Sequence, residues 1–295
     1  MSQFAEEEIY LATGEYQGLR FRMDRQPFAR QWFQQLENPR WSRYAAVGPT
    51  QSGKTLMCYV IPLMYHLFEI GETVVCGVPK MKMAKDKWRE DILPIIRASR
   101  YAEYLPTTGK GSRGGEVDSI SFTHGPTLKF MSGGGDDKER AGFTSRVILI
   151  TEADGMDTAS AQSREADPIK QIEGRTRHFQ RSGRQRMYLE CTASISKGRI
   201  WKEFVDGSRS QLALPCPHCS EFIIPLESAQ FDEDAAFNED DDIWRKALVG
   251  WQDSESELQA KESTRWYCPQ CGELWNEQDR FKANMHAKLW HRSGW

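Results

Sequence analysis

The sequence predicts an α/β protein with a mostly parallel sheet flanked by helices, followed by a small C-terminal module. Three features of the 295 residues support this prediction. Short apolar runs alternate with segments of helical spacing, a glycine-rich loop occupies residues 48–55, and two C-x-x-C pairs follow residue 215. Because the composition changes near Leu214, we divide the chain into a lead-in of residues 1–40, a sheet domain of residues 41–210 and a module of residues 211–295.

The composition is that of an ordinary soluble protein. Charged residues make up 27% of the chain and the net charge is −3, so any attraction to DNA must come from local patches. No apolar run approaches the ~20 residues that span a bilayer. The N-terminus is polar and acidic, unlike a secretory signal. Three of the seven cysteines, Cys58, Cys76 and Cys191, lie in apolar runs and are expected to be buried thiols.

The glycine-rich loop, GPTQSGKT, fits the phosphate-binding pattern G-x-x-x-x-G-K-[ST]. An apolar strand at residues 44–47 precedes it and an apolar helix at residues 54–68 follows it. This arrangement directs backbone N–H groups and a helix N-terminus at phosphate, so it predicts a P-loop NTPase domain that binds ATP. We expect Lys54 at the β- and γ-phosphates and Thr55 on Mg²⁺. The remaining expected phosphate contacts are Gly48, Gln51, Ser52 and Gly53.

Further strands are expected from short apolar runs at residues 73–78, 119–123, 127–131, 147–150 and 187–189. Gly125 and Pro126 predict a hairpin between the second and third of these. Residues 81–92 keep helical spacing, which Pro94 then perturbs.

The residues after the strand at 147–150 are candidates for ATP hydrolysis, which needs carboxylates near Mg²⁺ and water. Glu152 stands where a water-activating glutamate belongs. The preceding position, usually an aspartate near the metal, is Thr151, whose hydroxyl can reach Mg²⁺ but brings no charge. Asp154 is the candidate that compensates. The alternative reading of these residues is a solvated turn after a strand.

Other candidates rest on weaker signals. Arg140 and Arg146 precede the acidic strand and are candidates to act on the nucleotide of a neighbouring subunit, although a surface arginine remains the alternative. Gln26, Phe28 and Arg30 precede the first strand at a spacing that suits contact with adenine.

The two C-x-x-C pairs, Cys216 with Cys219 and Cys268 with Cys271, predict a tetrahedral Cys₄ zinc site in a zinc-ribbon-like module. Closed coordination leaves no open position, so we assign this Zn²⁺ to folding or DNA contact. The 48 residues between the pairs, with the acidic run at 232–242, indicate an insertion. His218, His286 and His291 are alternative ligands, but four cysteines already complete the site.

These motifs occur in the order seen in one family. Pro27 and Phe28, the loop at 48–55, Arg140, Glu152, residues 171–176 (QIEGRT), residues 187–194 (MYLECTAS) and the two cysteine pairs follow one another. On this basis the chain resembles the large subunit of tailed-phage terminases, the lambda-type packaging motor. The resemblance implies that residues 187–194 form the coupling motif, in which Thr192 meets the γ-phosphate.

The resemblance also implies the activity and the partners. We expect ATP-driven translocation of double-stranded DNA into a procapsid in the host cytoplasm, by a homo-oligomeric ring that works with a portal protein and a terminase small subunit. Lys110, Arg113 and Lys138 are candidate DNA contacts. The chain ends about where the family's nuclease domain would begin, so we expect no DNA cleavage. The alternatives are a helicase-like DNA-dependent ATPase and a non-hydrolysing DNA- or portal-binding module.

Overall fold

The computed structural model describes residues 1–112, 116–133, 143–157, 167–193, 198–224, 248–250, 256, 258 and 265–290. The chain divides into two compact units. We call Met1–Arg22 with Phe33–Asp206 the sheet unit, and Met23–Trp32 with Gly207–Trp295 the cysteine unit. The sequence grouped residues 1–40 as one lead-in, whereas their contacts divide them between the two units.

The sheet unit is built on a six-stranded sheet. Its strands, in chain order, are β1 Arg43–Val47, β2 Val74–Val78, β3 Ser119–Ser121, β4 Thr127–Ser132, β5 Val147–Thr151 and β6 Arg186–Cys191. Their order in the sheet is β1-β6-β5-β2-β4-β3. Only the β3–β4 pair, the predicted hairpin, is antiparallel. The structure therefore confirms an α/β fold with a mostly parallel sheet.

The central strands β2 and β5 correspond to sequence runs that are almost continuously apolar, because both faces of these strands are covered. Every residue of β2 and of β5 is buried, as expected for parallel strands covered on both faces. The apolar cluster on one face joins buried residues of four strands, β2, β4, β5 and β6, to the segments that follow β5 and β6. Its members include Ile148, Ile150, Met187, Leu189, Ile172 and Ile200.

Three of the described helices consist of consecutive segments with different helical geometry. Up to residue 206, the helices are α1 Ser2–Glu8; α2 Ala29–Glu37; α3, the run Thr55–Val60, Ile61–Met64 and Tyr65–Glu69; α4, the run Met81–Asp86, Lys87–Ile92 and Leu93–Ala98; α5, the run Pro168–Glu173, Gly174–Thr176 and Arg177–Gln180; and α6 Arg199–Asp206. Short 3₁₀ turns cover Met23–Arg25, Arg100–Tyr104 and Ala153–Asp157. The described residues include no helix long and apolar enough to cross a bilayer.

Prolines inside α3 and α4 coincide with widened turns. The π-type segment Thr55–Val60 comes just before Pro62, and the π-type segment Lys87–Ile92 just before Pro94. Proline lacks an N–H and crowds the preceding turn, and a π-type turn shifts the hydrogen-bond pattern locally. Pro94 thus perturbs the helix by widening it, and the helix continues to Ala98.

The cysteine unit contains two small antiparallel sheets. Its strands are β7 Gln211–Pro215, β8 Phe222–Ile223, β9 Leu248–Gly250, β10 Arg265–Tyr267, β11 Leu274–Trp275 and β12 Lys288–Trp290. They are arranged as β12-β7-β8 and β11-β10-β9. The helix α7 Glu277–Met285 begins with a capping box between Asn276 and Asp279. The described core is small and includes Leu214, Ile223, Trp275 and Ala283, so a cross-link at the cysteines would add needed stability.

A buried polar network joins α3 to the amino ends of β5 and β6. Arg146 donates to Glu72 through Nε at 2.7 Å and also through Nη2. His66 Nδ1 lies 2.6 Å from Glu72 Oε1, and its Nε2 lies 2.8 Å from the Tyr188 hydroxyl. Burial lowers the pKa of His66, which favours the neutral ring. Nδ1–H therefore donates to Glu72, while Nε2 accepts from Tyr188. Tyr188 in turn stacks on Tyr44 of β1.

This network predicts acid sensitivity. Burial acts to raise the pKa of Glu72, but hydrogen bonds from His66 and Arg146 lower it from its ordinary 4.5 to about 2. Between these two values the unfolded chain binds more protons, so stability is present above pH 4.5 and falls as the pH falls toward 2. We expect Glu72→Gln to remove up to roughly 3 kcal/mol of the stability at pH 7 and to flatten the acid limb.

Urea unfolding across pH 2.5–7 measures both effects. Glu69→Gln is the matched control because its exposed carboxylate pairs with Arg100 at the surface. Equal acid profiles for the wild type and Glu72→Gln would show that the network does not stabilise the fold.

Candidate functional site

The candidate nucleotide site lies at the carboxyl ends of three adjacent parallel strands. β6 lies between β1 and β5, pairing Val47 with Cys191 on one side and Thr151 with Glu190 on the other. The phosphate loop leaves the end of β1 and enters α3. Ligands of open parallel sheets bind at this edge, outside the carboxyl ends of the strands.

The loop has the backbone shape that phosphate binding needs. Gln51 and Gly53 have φ values of 58° and 79°, in the left-handed region. Alternation of left- and right-handed residues points successive N–H groups into a concave anion site. A Cβ at Gly48 would lie 3.2 Å from Cδ of Lys54, so any larger residue there would crowd the lysine side chain. Ser52 Oγ donates to the Pro49 carbonyl at 2.9 Å and closes the loop.

Lys54 connects the loop to the end of β6. Its ammonium donates to the Pro49 carbonyl at 2.5 Å and to Thr192 Oγ1 at 3.1 Å. The structure thus brings together Lys54 and Thr192, which were predicted to share the γ-phosphate and are 138 positions apart in the chain. Thr55 follows as the first residue of α3.

The end of β5 carries two polar side chains with different surroundings. Thr151 is fully buried and donates through Oγ1 to Glu190 Oε1. Glu152 follows with a φ of 52°, a conformation that costs a non-glycine residue on the order of 1–3 kcal/mol and is common at functional positions. The Cys191 sulfur lies 3.2 Å from the Thr192 carbonyl oxygen and 3.6 Å from Glu152 Oε2, and its thiol can donate to either acceptor. Burial raises the pKa of Cys191 to about 12, so the thiol keeps its proton.

Glu190 is the functional candidate that the sequence analysis missed. It is 1% exposed, on β6 between the loop strand and the acidic strand. Burial raises the pKa of this carboxyl, and the hydrogen bond from Thr151 acts in the opposite direction. Glu190 could have been noticed in the sequence as the charged residue in the otherwise apolar run MYLEC. A charged side chain is rarely buried in a strand that is covered on both faces unless it has a partner.

Asp154 is turned toward α6. Its Oδ1 accepts the backbone N–H of Ile200 at 2.7 Å, which caps the start of that helix. A Cβ at Gly198 would lie only 2.7 Å from Asp154 Oδ2, so the absence of a side chain at Gly198 leaves room for this carboxylate. The Oδ1 contact supports a capping role for Asp154, whereas Oδ2 is buried without a hydrogen-bond partner among the described residues, so the magnesium role expected from the sequence stays a prediction. The Oδ1 contact also joins the turn after β5 to the helix after β6.

Arg146 is held at the amino end of β5 by Glu72 and by the Arg184 carbonyl. Arg146 and Thr151 are five positions apart along the extended chain, about 16 Å. These contacts favour a structural role over action on a neighbour's nucleotide. Arg140, Arg113 and Lys138 lie outside the described residues. Lys110 donates to Asp118 at 2.8 Å, so its charge is already paired.

Gln26 and Phe28 belong to the cysteine unit. They line a cavity of about 260 Å³ together with Glu277, Arg280 and Asn284. Arg30 pairs with Asp24. The adenine contact expected from the sequence therefore stays a prediction.

Cys216, Cys219, Cys268 and Cys271, which we call the knuckle cysteines, form one cluster in the cysteine unit. Their sulfur atoms all lie within 4.8 Å of one another, with Cys216 to Cys271 at 3.9 Å and Cys219 to Cys268 at 3.8 Å. Tetrahedral zinc with Zn–S bonds of ~2.3 Å separates its sulfur ligands by about 3.8 Å, whereas a disulfide needs ~2.05 Å. The cluster therefore has the dimensions of a metal site.

Backbone donors support thiolates in this cluster. The N–H groups of His218 and Gln270 each point at a knuckle sulfur, Cys216 and Cys268 respectively, at 3.4 Å. Burial acts to raise the pKa of Cys216, but backbone N–H groups lower it to about 7. Burial raises the pKa of Cys219 and raises that of Cys268 to about 12, so without a metal Cys216 is the thiol of these three that most readily loses its proton. His218 lies 3.8 Å from Asp279 and not in the cluster.

The role of Asp154 is testable with a pair of variants. Asp154→Asn keeps an oxygen that can accept from Ile200, so we expect stability within about 0.5 kcal/mol of the wild type, whereas Asp154→Ala should lose about 0.5–2 kcal/mol. Thermal unfolding measures the stability, and nucleotide titration in Mg²⁺ measures the site. A loss of Mg²⁺-dependent binding in the stable Asp154→Asn protein would support the magnesium role.

A family model and several solved structures are similar to this chain. The family described as phage terminase large subunit gpA, ATPase domain, matches residues 16–290. The HK97 bacteriophage large terminase is similar with 14% identity and a TM-score of 0.49, over 70% of this chain and 40% of that chain. The ATPase domain of the Thermus phage P74-26 large terminase is similar with 15% identity and a TM-score of 0.39, over 61% of this chain and 70% of that chain.

The chain thus spans 40% of the length of the HK97 terminase. Comparison with the curated proteins gave no significant match. The family match alone covers most of the sequence, from the lead-in to β12. On that match, the chain belongs to the family of phage terminase large subunit gpA ATPase domains.

Proposed function

We propose that this chain hydrolyses ATP and couples hydrolysis to the translocation of double-stranded DNA into a viral procapsid. The observation that carries the proposal is the 3.1 Å contact between Lys54 and Thr192. In this contact the ammonium of Lys54, to which we assign phosphate binding, lies at the end of β6, next to β5 and the Glu152 that follows it. The proposed nucleotide site and the segment that leads to α6 therefore lie at the same edge of the sheet, where the strands end.

The roles of the residues follow from their positions. N–H groups of the loop hold the phosphates, and Lys54 exchanges the Pro49 carbonyl for the β- and γ-phosphates. Glu152 orients the attacking water. The hydroxyls of Thr55 and Thr151 offer the hard oxygen atoms that suit Mg²⁺. Magnesium, when bound, neutralises charge that develops on the phosphoryl oxygens.

Coupling to movement follows from the chain connections. Thr192 directly follows β6, and α6 begins seven residues later. Asp154, two residues after Glu152, holds the first turn of α6. A change at the γ-phosphate that shifts Lys54 or Glu152 would thus be transmitted to α6 from both strands. As for any translocase, grip on DNA must be independent of sequence and rest on phosphate contacts.

The partners in this proposal are double-stranded DNA, a portal protein, a terminase small subunit and further copies of the chain in a ring. An arginine from a neighbouring copy would complete the site, with Arg140 as the candidate. A helicase-like DNA-dependent ATPase is the second candidate, because the phosphate loop alone fits it as well. A non-hydrolysing DNA- or portal-binding module is the third, because Thr151 brings no charge.

Hydrolysis is tested with two variants. Lys54→Ala should abolish both ATP hydrolysis and tight nucleotide binding, since the phosphates lose their cation. Glu152→Gln should lower kcat by about 10²–10⁴-fold with nucleotide affinity retained, since only the water-orienting carboxylate is lost. Phosphate release with and without double-stranded DNA, together with nucleotide titration, measures these outcomes.

Lys85→Ala and Glu90→Gln are the matched controls, because both residues are exposed on α4. Normal turnover by Glu152→Gln would refute the catalytic assignment. Absence of hydrolysis by the wild type with DNA present would favour the binding module, and strand separation would favour the helicase.

We further propose that the four knuckle cysteines hold a structural Zn²⁺. Cys216→Ser should lower bound zinc well below one ion per chain and destabilise the cysteine unit, because the small core loses its cross-link. His218→Ala is the matched control and should keep the metal. Elemental analysis and thermal unfolding give the readouts. A metal-free, equally stable wild type would refute the site.

A further inference from the structure

Glu190 lies where α3 begins to cover the sheet. Tyr188 and Glu190 are two residues apart on β6 and so share one face, and Tyr188 contacts His66 of α3. Two positions beyond Glu190, Thr192 accepts from Lys54 at the start of α3. Glu190 thus lies on the face covered by α3, between a contact with the end of that helix and a contact with its start.

The partner of Glu190 is the residue that breaks the expected pattern. Thr151 occupies the position at the end of β5 where an aspartate is usual, and its hydroxyl donates to Glu190 Oε1. The two residues are directly paired across the parallel strands, so their side chains leave the sheet together. The carboxylate missing from β5 is therefore present one strand away, next to the hydroxyl that replaced it.

The position of Glu190 matters because its carboxylate is buried. A buried carboxylate is costly unless it is paired with a cation or a hydrogen-bond donor. Glu190 is paired on β1 with Ala46, one residue before the strand's last residue, Val47. This register puts it under the loop that carries Lys54 and Thr55. Mg²⁺ sites of NTPases usually combine one or two carboxylates with phosphate oxygens and water.

We propose that Glu190 supplies the acidic charge of the magnesium site, and that Glu190 with Thr151 takes the place of a single aspartate at the end of β5. Thr151 positions the carboxylate, and the carboxylate acts on a water molecule of the hydrated ion or on the Thr55 hydroxyl. This inference rests on the proposed nucleotide site. It goes beyond it by naming the strand from which the charge comes.

The competing reading is a neutral Glu190 that only packs against Thr151. The variant Glu190→Gln separates the two readings because the amide oxygen can still accept from Thr151 while the charge is lost. The measurement is the affinity for ATPγS by calorimetric titration, once in Mg²⁺ and once in EDTA. The ratio of the two affinities reports the contribution of the metal without any need for turnover.

We expect Glu190→Gln to reduce this ratio by about 10–100-fold, with the affinity in EDTA equal to or tighter than that of the wild type. The double variant Thr151→Asp with Glu190→Gln returns a carboxylate to β5 and should restore most of the ratio. It also carries the test if Glu190→Gln alone fails to fold. Glu203→Gln is the matched control, since its carboxylate is also largely buried but pairs with Arg43 and Arg199.

Three results would overturn the inference. An unchanged ratio in folded Glu190→Gln would assign Glu190 to packing alone. A folded double variant without a response to Mg²⁺ would show that a carboxylate at this edge does not serve the metal. A wild type whose binding of ATPγS does not depend on Mg²⁺ would remove this inference and the proposed function together, whereas the first two results leave the proposed function standing.

Discussion

The order β1-β6-β5 of three parallel strands is the constraint on which the candidate site depends. Because the strands are parallel, their carboxyl ends meet at one edge of the sheet. Residues that are 39 or even 138 positions apart in the chain become neighbours there. Lys54 meets Thr192 and Thr151 meets Glu190 only because β6 is inserted between the loop strand and the acidic strand. Burial of β5 on both faces holds this order.

The residues at this edge also connect the candidate site to the rest of the sheet unit. The left-handed backbone at Glu152 turns the chain from β5 into a 3₁₀ segment, from which Asp154 caps α6. At the opposite edge, the ion pair between Glu72 and Arg146 and the hydrogen bond between His66 and Tyr188 hold α3, β5 and β6 in register. Polar contacts thus position the ends of the strands, while apolar packing holds their centres.

Much of this fold could be predicted because its signals are local. The loop pattern, the apolar runs and the paired cysteines each follow from a few adjacent residues. The roles that depend on tertiary neighbours could not be predicted in this way. The contact of Asp154 with Ile200 and the pairing of Arg146 with Glu72 join residues that lie far apart in the chain, so no local pattern reveals them. Glu190 was missed because its partner Thr151 is 39 positions away and becomes adjacent only through strand order.

The central claim is that this edge of the sheet binds Mg²⁺ and ATP for hydrolysis. A crystal structure with Mg²⁺ and ATPγS tests it most directly. We expect the triphosphate in the loop, Lys54 moved from the Pro49 carbonyl to the β- and γ-phosphates, Thr55 on the metal and Glu190 within hydrogen-bond reach of the hydrated ion. Nucleotide bound elsewhere, or a metal whose surroundings leave Glu190 sealed against Thr151 alone, would contradict it.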